Sequence, residues 1–222
     1  MIQEQKHKFI FGSGAQGRVV NDILIAQYPD SIIHFVDENK TLIHTTVNNT
    51  KVISIEEMFE LEKSPLIHLA LGHPIVRENV FNKINNLGAV LLTAIHPSAV
   101  IMPSATIEAG TMIGAGAIIN SNVRIGKSCI VNTGAIIEHD TEMADFSCVS
   151  PGATIGGRVT IGRNAFIASC AVVLARTNIG KNVIVGMGSV VMKDIEDNNI
   201  VYGVPAKIQG KVDVSFNWNK LF

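Results

Sequence analysis

A strict six-residue period constrains this chain more than any other feature of its sequence. From Ile95 to Glu196 every sixth residue is aliphatic or Met, through seventeen consecutive rows without a change of phase. A period of six fits neither an amphipathic helix, which repeats every ~3.6 residues, nor a strand with two alternating faces. It predicts a hexapeptide solenoid, the parallel β-helix in which each short strand forms one side of a triangular coil. The residues that open the rows are Ile95, Ile101, Ile107, Ile113, Ile119, Ile125, Val131, Ile137, Met143, Val149, Ile155, Ile161, Ile167, Val173, Ile179, Val185 and Val191.

The solenoid pattern also predicts how the coils are built. Three rows make one coil of eighteen residues, so seventeen rows give between five and six coils. The row-opening side chains would stack along the axis, and burying each Val or Ile contributes about 1.5–3 kcal/mol. The fifth residue of each row is small or β-branched, as at Ala117 and Thr141. We expect these fifth residues to let the chain turn a corner without crowding the core.

Length and composition narrow the possible functions. The chain has 222 residues, a formal net charge of −1 and a pI near 6.6, so no basic patch favours nucleic acid or an anionic membrane. Its first apolar run ends at Gly12 and is too short for a signal sequence or a membrane span, which predicts a cytoplasmic protein. Cys129, Cys148 and Cys170 lack the paired spacing of a zinc site and are expected to be reduced thiols.

Residues 1–94 show the pattern of a small Rossmann-like unit. A buried strand at 8–11 opens into a glycine-rich turn at 12–17, and a helix with Val19, Val20, Ile23 and Leu24 on one face follows. Free N–H groups and the helix dipole at such a turn bind phosphate. The next strand, 32–36, ends at Asp37, twenty residues after Gly17, where a Rossmann unit holds a ribose hydroxyl.

The rest of this unit predicts a half-sized nucleotide domain. Ser54 and Glu57 form a capping box at a helix start. A strand at 66–71 leads through Gly72 into a helix that begins with Pro74 and ends at Gly88, and the last strand is 89–94. This β-α-β-α unit has room for one mononucleotide, which favours a nucleoside diphosphate attached to another group over NAD. The alternative is that the glycines only make a tight turn.

His139 is the solenoid side chain best suited to acid–base chemistry. It is third in its row, between Glu138 and Asp140, so its imidazole is expected to point out of the coil. One coil further on is Gly157 and one coil earlier is Ser121, which leaves an open step beside the ring. Histidine changes charge near neutral pH, which suits a general base. An exposed histidine without a task is the alternative.

A second column is suggested by the same arithmetic. Ser169 and Met187 differ by eighteen and share a position on a neighbouring side of the triangle. We expect that a long thin ligand could lie along such a column, held mainly by backbone groups.

Several segments together resemble the bacterial nucleotide-aminosugar acetyltransferases. This family is related to the sialic acid O-acetyltransferases and includes the bacillosamine and perosamine N-acetyltransferases. The resemblance covers about residues 8–207 and implies an α/β Rossmann-like domain followed by a left-handed parallel β-helix, a handedness that the period alone does not fix. It also implies a homotrimer with acetyl-CoA between adjacent rods. The segments that carry it are the hexapeptide rod, Ile137-Glu138-His139-Asp140, Asp145-Phe146-Ser147, Val149-Ser150-Pro151-Gly152-Ala153 and Tyr202-Gly203-Val204-Pro205-Ala206-Lys207.

The resemblance also implies roles for individual residues. His139 corresponds to the family's base, and Asp140 to an acidic neighbour, commonly Glu, that raises its basicity. The nucleotide sugar is expected to be held by Gly12, Gly14, Ala15, Gln16, Asp37, Glu38 and Gly72. Acetyl-CoA is expected to contact Cys148, Gly157, Ser169, Met187 and Lys207. Gln16 and Cys148 stand where the family often has His, and these departures affect the choice of sugar and one thioester contact.

The expected reaction is transfer of an acetyl group from acetyl-CoA to the 4-amino group of a nucleotide-linked 4-amino-4,6-dideoxysugar, without a metal. The product would serve lipopolysaccharide, capsule or glycoprotein synthesis. A sialic acid or other sugar O-acetyltransferase is the close alternative. A zinc carbonic anhydrase would need three ligands, and the rod offers only His96 and His139. A nucleotide-sugar sensor would bind through residues 12–17 and 37 and catalyse nothing.

Three segments follow from these patterns. Residues 1–94 are expected to bind the nucleotide sugar, residues 95–196 to bind acetyl-CoA and catalyse, and residues 197–222 to form a tail. The apolar residues of the tail are expected to pack on the rod or a neighbouring subunit, with a lid over CoA as the alternative. These residues are Phe216, Trp218, Leu221 and Phe222.

Overall fold

The N-terminal part of the chain is an α/β sheet in a computed structural model, which describes residues 5–213 and residue 216. Its six strands lie in the order β3-β4-β2-β1-β5-β6, and all neighbours are parallel except β3 and β4. The helix α1 contacts the rod that follows. The elements are β1 (His7–Phe11), α1 (Ala15–Gln27), β2 (Ile32–Val36), β3 (Thr46–Val47), β4 (Thr50–Ile53), α2 (Ile55–Leu61), β5 (Leu66–Leu69), α3 (Pro74–Asn86) and β6 (Val90–Leu91).

The sequence patterns locate most of these elements but miss one hairpin. The β-α-β-α unit predicted from the sequence does not include β3 and β4, which form an antiparallel hairpin. Asn48 and Asn49 join these strands, and both are in the left-handed region, with φ of 47° and 63°. Two residues with positive φ are what a tight hairpin turn requires, and Asn tolerates that conformation. The strand predicted at 89–94 is present but shorter, because β6 ends at Leu91 and Ala94 already belongs to the first rod strand.

The helix ends follow the predicted local chemistry. The Ser54 hydroxyl accepts from the Glu57 N–H, and the Glu57 carboxylate accepts from the Ser54 N–H, which confirms the capping box. Pro74 occupies the first turn of α3. On α1, Val20, Ile23 and Leu24 are buried as predicted, but Val19 is 42% exposed and does not belong to the packed face.

The rod confirms the predicted solenoid, so the fold class is an α/β unit followed by a left-handed parallel β-helix. Each of its seventeen strands has two residues, and the second is the row-opening aliphatic or Met. Strands eighteen residues apart pair in parallel, as Ile119 does with Ile137 and Ile137 with Ile155. The strands are β7 (Ala94–Ile95), β8 (Val100–Ile101), β9 (Thr106–Ile107), β10 (Met112–Ile113), β11 (Ile118–Ile119), β12 (Arg124–Ile125), β13 (Ile130–Val131), β14 (Ile136–Ile137), β15 (Glu142–Met143), β16 (Cys148–Val149), β17 (Thr154–Ile155), β18 (Thr160–Ile161), β19 (Phe166–Ile167), β20 (Val172–Val173), β21 (Asn178–Ile179), β22 (Ile184–Val185) and β23 (Val190–Val191).

The corners of the rod are made by the fourth residue of each row, which the sequence analysis did not single out. In fourteen successive rows, from Gly110 to Gly188, this residue has a positive φ between 50° and 77°. The fifth residues point inward at the corner and are buried from Thr111 to Ser189, which agrees with the prediction that they are small so as not to crowd the core. A left-handed residue bends the chain from one side of the triangle to the next, and the side chain of the following residue then enters the core. The set of fourth residues contains Gly, Asn, Asp, Ser, Cys, Arg and Phe, and no β-branched residue.

The three sides of the rod differ in the side chains that precede each inward residue. One side is buried beneath α1 and the sheet, and we call it the covered side. The second is polar and exposed, and the third is aliphatic. The covered side presents Ala94, Met112, Ile130, Cys148, Phe166 and Ile184; the polar side presents Thr106, Arg124, Glu142, Thr160 and Asn178; the aliphatic side presents Val100, Ile118, Ile136, Thr154, Val172 and Val190.

A hairpin closes the rod. Strand β24 (Asn199–Gly203) extends the covered side next to β22, and β25 (Ala206–Lys211) pairs with it antiparallel. Phe216 is partly buried against the cluster between α1 and the rod, and the other predicted tail contacts, of Trp218, Leu221 and Phe222, lie outside the described residues. None of the described helices is long and apolar enough to cross a membrane. The division of the chain at residues 94 and 196 stays a prediction.

The inward ladder predicts a steep stability cost for truncation. Ile167 is fully buried, and Ile167→Ala should lower the free energy of unfolding by about 2–5 kcal/mol because the coil cannot collapse around the cavity. Thr160→Ala, on the polar side, should change it by no more than about 0.5 kcal/mol. Urea denaturation followed by circular dichroism measures both. Equal losses in the two variants would contradict the assignment of inward and outward positions.

Candidate active site

A cavity of about 790 Å³ lies between the α/β sheet and the covered side of the rod. One wall is formed where β1, β2 and β5 end, by the turn at 12–16, by Asp37 and Glu38, and by Gly72 and His73. Ligands of open α/β sheets bind at this edge. The opposite wall is formed by rod residues, among them Cys148, Ser150 and Ser169. The structure thus brings all seven residues predicted to hold the sugar nucleotide together with two of those predicted to contact acetyl-CoA.

The glycine-rich turn is held open by close backbone packing and by Asp37. A Cβ on Gly17 would lie 2.1 Å from the Gly12 carbonyl oxygen, so only glycine fits there. The Asp37 carboxylate accepts from the Ser13 N–H at 3.0 Å, the Ser13 hydroxyl at 2.6 Å and the Asn39 N–H at 3.0 Å. Burial alone would raise the pKa of Asp37, but these hydrogen bonds lower it below its usual range. Asp37 therefore braces the turn as well as lining the cavity.

Other cavity residues are also tied to the protein. Glu38 forms a salt bridge with Lys83 of α3, and the Gln16 amide lies 2.9 Å from the Met112 sulfur of the rod. Cys148 is buried, and burial raises the pKa of its thiol, so it stays a neutral, uncharged wall residue. The apolar wall contributed by Val76, Val80 and Phe166 was missed by the sequence analysis, which gave no signal for these positions.

His139 and Asp140 form a second cluster, on the corner that follows the aliphatic side. The His139 side chain is 52% exposed, which confirms its outward direction. Its Nδ1 lies 2.9 Å from Asp140 Oδ2. A carboxylate at this nitrogen favours the tautomer with the proton on Nδ1, which leaves a lone pair on Nε2. Nε2 is therefore the atom that can accept a proton from a ligand.

Two neighbours hold the Asp140 carboxylate. Asn122 Nδ2 donates to its Oδ1 at 3.1 Å, and Arg158 Nε lies 3.6 Å from its Oδ2. The hydrogen bond from His139, followed by the one from Asn122, lowers the pKa of Asp140. Asn122, Asp140 and Arg158 are eighteen residues apart, and each is a left-handed fourth residue. Adding or subtracting eighteen from Asp140 would have found both neighbours from the sequence.

The step predicted next to His139 is present at Gly157, and the imidazole itself occupies it. A Cβ on Gly157 would lie 2.7 Å from His139 Nε2 and 2.8 Å from Cε1, so the imidazole packs directly on this glycine. The Gly157 N–H donates to no acceptor within residues 5–213 and 216. The corner thus offers one proton acceptor and one free backbone donor next to each other.

The two clusters are not adjacent within one chain. Along the chain, the corner that borders the cavity comes before the aliphatic side, and the corner that carries His139 comes after it. Equivalent positions on these two corners are six residues apart, which is at most about 20 Å of extended chain. Met187 is 75% exposed, one coil above Ser169, and Lys207 is exposed on β25; neither lines the cavity. A ligand would have to leave the cavity and pass along this surface to reach Nε2.

Comparisons with known proteins agree with this architecture. The family described as the PglD N-terminal domain matches residues 9–84. A mutant of perosamine N-acetyltransferase from Caulobacter crescentus, solved with CoA and GDP-perosamine, is 32% identical with a TM-score of 0.86, covering 95% of this chain and 99% of that one. The acetyltransferase domain of PglB from Neisseria gonorrhoeae, solved with acetyl coenzyme A, is 30% identical with a TM-score of 0.86, covering 92% and 100%.

A third structure extends the same likeness. WeeI from Acinetobacter baumannii is 27% identical with a TM-score of 0.86, covering 91% of this chain and 100% of that one. No curated protein sequence matches the chain. The likeness to perosamine N-acetyltransferase spans both the cavity and the His139 corner. The chain is therefore an acetyltransferase and belongs to the hexapeptide-repeat family of nucleotide-aminosugar N-acetyltransferases that includes perosamine N-acetyltransferase.

Proposed function

We propose that the protein transfers an acetyl group from acetyl-CoA to the 4-amino group of a nucleotide-linked 4-amino-4,6-dideoxysugar, with His139 as general base. The observation that carries this proposal is the His139–Asp140 pair, which presents Nε2 on a rod whose structural relative holds CoA and GDP-perosamine. The cytoplasmic location stays a prediction of the sequence, and a role in lipopolysaccharide, capsule or glycoprotein synthesis stays a prediction of the resemblance.

The reaction needs a free amine and a polarised thioester. Nε2 of His139 takes a proton from the substrate nitrogen as that nitrogen bonds to the acetyl carbonyl carbon. The imidazolium that forms is stabilised by Asp140 through Nδ1. The carbon–sulfur bond then breaks, and CoA leaves as a thiolate, a weak base that takes up the proton from the imidazolium or from water. The products are the N-acetyl sugar and CoA.

The negative charge of the intermediate requires a donor. The N–H of Gly157 lies beside the imidazole and has no acceptor in the part of the chain that the structure describes, so we assign it to the carbonyl oxygen of the tetrahedral intermediate. The Ser169 and Met187 column, on the corner that borders the cavity, would hold the pantetheine arm of CoA with Cys148 and Lys207 at its two ends. The nucleotide would lie against the turn at 12–16 and against Gly72.

The site further requires a second copy of the chain. The aliphatic side presents six β-branched residues, five of them Val or Ile, and Val172 is 41% exposed. A contiguous row of exposed aliphatic side chains is typical of a surface that contacts another protein and not of one that faces water. The matched polar side, with Arg124 and Glu142 at its centre, shows that the fold itself does not require aliphatic residues there. A second copy of the same side is the occupant that matches this ladder in length and chemistry.

A threefold arrangement explains why the two clusters are separate. If three triangular rods each turn the aliphatic side toward a common axis, the two corners that flank this side meet the corners of the neighbours. The corner before the side borders the cavity, and the corner after it carries His139. His139 of one copy would then face the cavity of the next. The predicted homotrimer thus completes the site.

The central prediction concerns His139. With acetyl-CoA and a panel of GDP-, UDP- and dTDP-linked 4-amino-4,6-dideoxysugars, thiol release should occur with one of them and fall at least about 10²-fold in His139→Ala, because the proton acceptor is lost. Thiol release with a sialic acid and with none of the aminosugars would contradict N-acetylation and indicate an O-acetyltransferase. Tight binding of a nucleotide aminosugar without any thiol release would indicate a nucleotide-sugar sensor that catalyses nothing.

Gly157 provides a second test of the same corner. Its φ is compatible with alanine, but the added methyl would overlap His139 Nε2, so Gly157→Ala should displace the ring and lower kcat at least about 10-fold. Circular dichroism and the melting temperature should remain close to wild type. An unchanged kcat in the folded variant would show that Nε2 does not act from this position.

The assembly is tested on the aliphatic side. Val172→Asp should convert the trimer to monomers in light scattering and abolish acetyl transfer, since a buried unpaired carboxylate opposes association. Thr106→Asp places the same charge on the polar side, and it should leave both the molar mass of the assembly in solution and the acetyl-transfer activity unchanged. A monomeric wild type with full activity would contradict the shared site.

A further inference from the structure

Arg77 of α3 is a buried cation that has no role in the chemistry described so far. Its side chain is 1% exposed, and within residues 5–213 and 216 no carboxylate pairs with it. Burying a guanidinium without a counter-charge is costly unless all its donors are satisfied. The hydrogen-bond acceptors of the Arg77 guanidinium therefore indicate what this side chain holds in place.

Four backbone carbonyls surround the guanidinium, and they come from both parts of the chain. Nη1 donates to the carbonyl oxygens of Leu71 at 2.5 Å and Gly72 at 3.1 Å. On the rod, Nε donates to Ser128 at 2.8 Å and Nη2 to Phe146 at 2.6 Å. One planar fork thus joins the turn after β5 to two coils of the rod.

The geometry of the rod suits this fork. Ser128 and Phe146 are both left-handed fourth residues, eighteen positions apart, so their carbonyls repeat one coil above the other. Adjacent strands in a sheet are about 4.8 Å apart, a spacing that two donors of one guanidinium can span. A Lys ammonium is a single point and cannot hold two coil carbonyls and a turn at fixed angles.

The turn that Arg77 holds is a wall of the cavity. Leu71 and Gly72 line it on one side, and Cys148 and Ser150, which follow Phe146 in the chain, line it on the other. We propose that Arg77 is a positioning residue for the nucleotide-sugar site, holding the Leu71–Gly72 turn in register with the coils that form the opposite wall. This inference rests on the proposed binding of a nucleotide sugar in the cavity.

A neighbouring contact provides a matched control. Glu78, the next residue of α3, accepts from Arg163 Nε at 3.0 Å and from Asn164 Nδ2 at 2.7 Å. This contact docks the same helix on the same corner of the rod, but it does not touch the turn that lines the cavity. Loss of Glu78 should therefore weaken docking without moving the cavity wall.

Steady-state kinetics of the full-length protein separate the two roles. With the nucleotide aminosugar that the wild type acetylates, Arg77→Lys should raise KM for that sugar at least about 10-fold. Its kcat and its KM for acetyl-CoA should stay within about 3-fold of wild type. Glu78→Ala should lower the melting temperature and leave KM for the sugar within about 2-fold. In Arg77→Ala, added guanidinium should restore sugar affinity and methylammonium should not.

Several outcomes would overturn the inference. An unchanged KM for the sugar in folded Arg77→Lys would do so. So would equal increases of this KM in the Arg77 and Glu78 variants, in proportion to their decrease in melting temperature. If neither Arg77 variant folds while Glu78→Ala does, Arg77 is a general folding determinant and the inference fails. A wild type that acetylates no nucleotide sugar would instead refute the proposed function.

Discussion

The backbone hydrogen bonds between coils eighteen residues apart are the interaction on which the rest of this structure depends. From the row of Ile95 to the row of Ile167, each row donates its second and sixth N–H groups to the coil above, as Glu138 does to Ile155 and Ile136 to Ala153. Because this register does not slip, a side chain at one position lies directly under its counterpart in the next coil. The contact between Gly157 and the His139 ring is a consequence of that stacking.

The same register gives the three sides of the rod different tasks. Every row places one aliphatic residue inward, so the outward residue beside it is free to vary without loss of the core. The covered side carries Met112, Ile130 and Phe166 and receives α1 and the sheet. The polar side faces solvent. The aliphatic side has no partner within the described chain, and in the proposed trimer burying it around a threefold axis would bring the His139 corner of one copy to the cavity of the next.

Left-handed corners place the polar groups of the site. At the corner that carries His139, three stacked fourth residues with positive φ are Asn122, Asp140 and Arg158. This stacking places the three within contact, so the carboxylate beside His139 is held by residues from three coils. It also aligns the Ser128 and Phe146 carbonyls that accept from Arg77. The contacts around the proposed base and the docking contacts of Arg77 thus use the same backbone conformation at different corners.

The sequence predicts the repetitive part of this protein far better than the irregular part. A strict period fixes which residues stack, so the inward ladder, the outward His139 and the open step at Gly157 could all be derived by counting. The left-handed fourth residues could not, because that position holds Gly, Asn, Arg and even Phe146, a mixture without a compositional signal. The hairpin at Asn48 and Asn49 was missed, although paired asparagines between short β-branched segments are a readable turn signal. Arg77 was beyond reach, since all four of its acceptors are backbone carbonyls and two of them, at Ser128 and Phe146, lie on the distant rod.

Subunit complementation tests most directly whether one acetyl-transfer site is shared between two copies. His139→Ala lacks the proposed base, and Gly14→Trp would fill the cavity from a position where an added Cβ meets no neighbour within 4 Å. Each variant should be inactive alone. Refolded together at equal amounts, they should recover about a quarter of wild-type activity, because random mixing places an intact His139 next to an intact cavity at that fraction of interfaces. Mixed trimers that remain inactive would show that His139 and the cavity act within a single chain, and the shared site would be refuted.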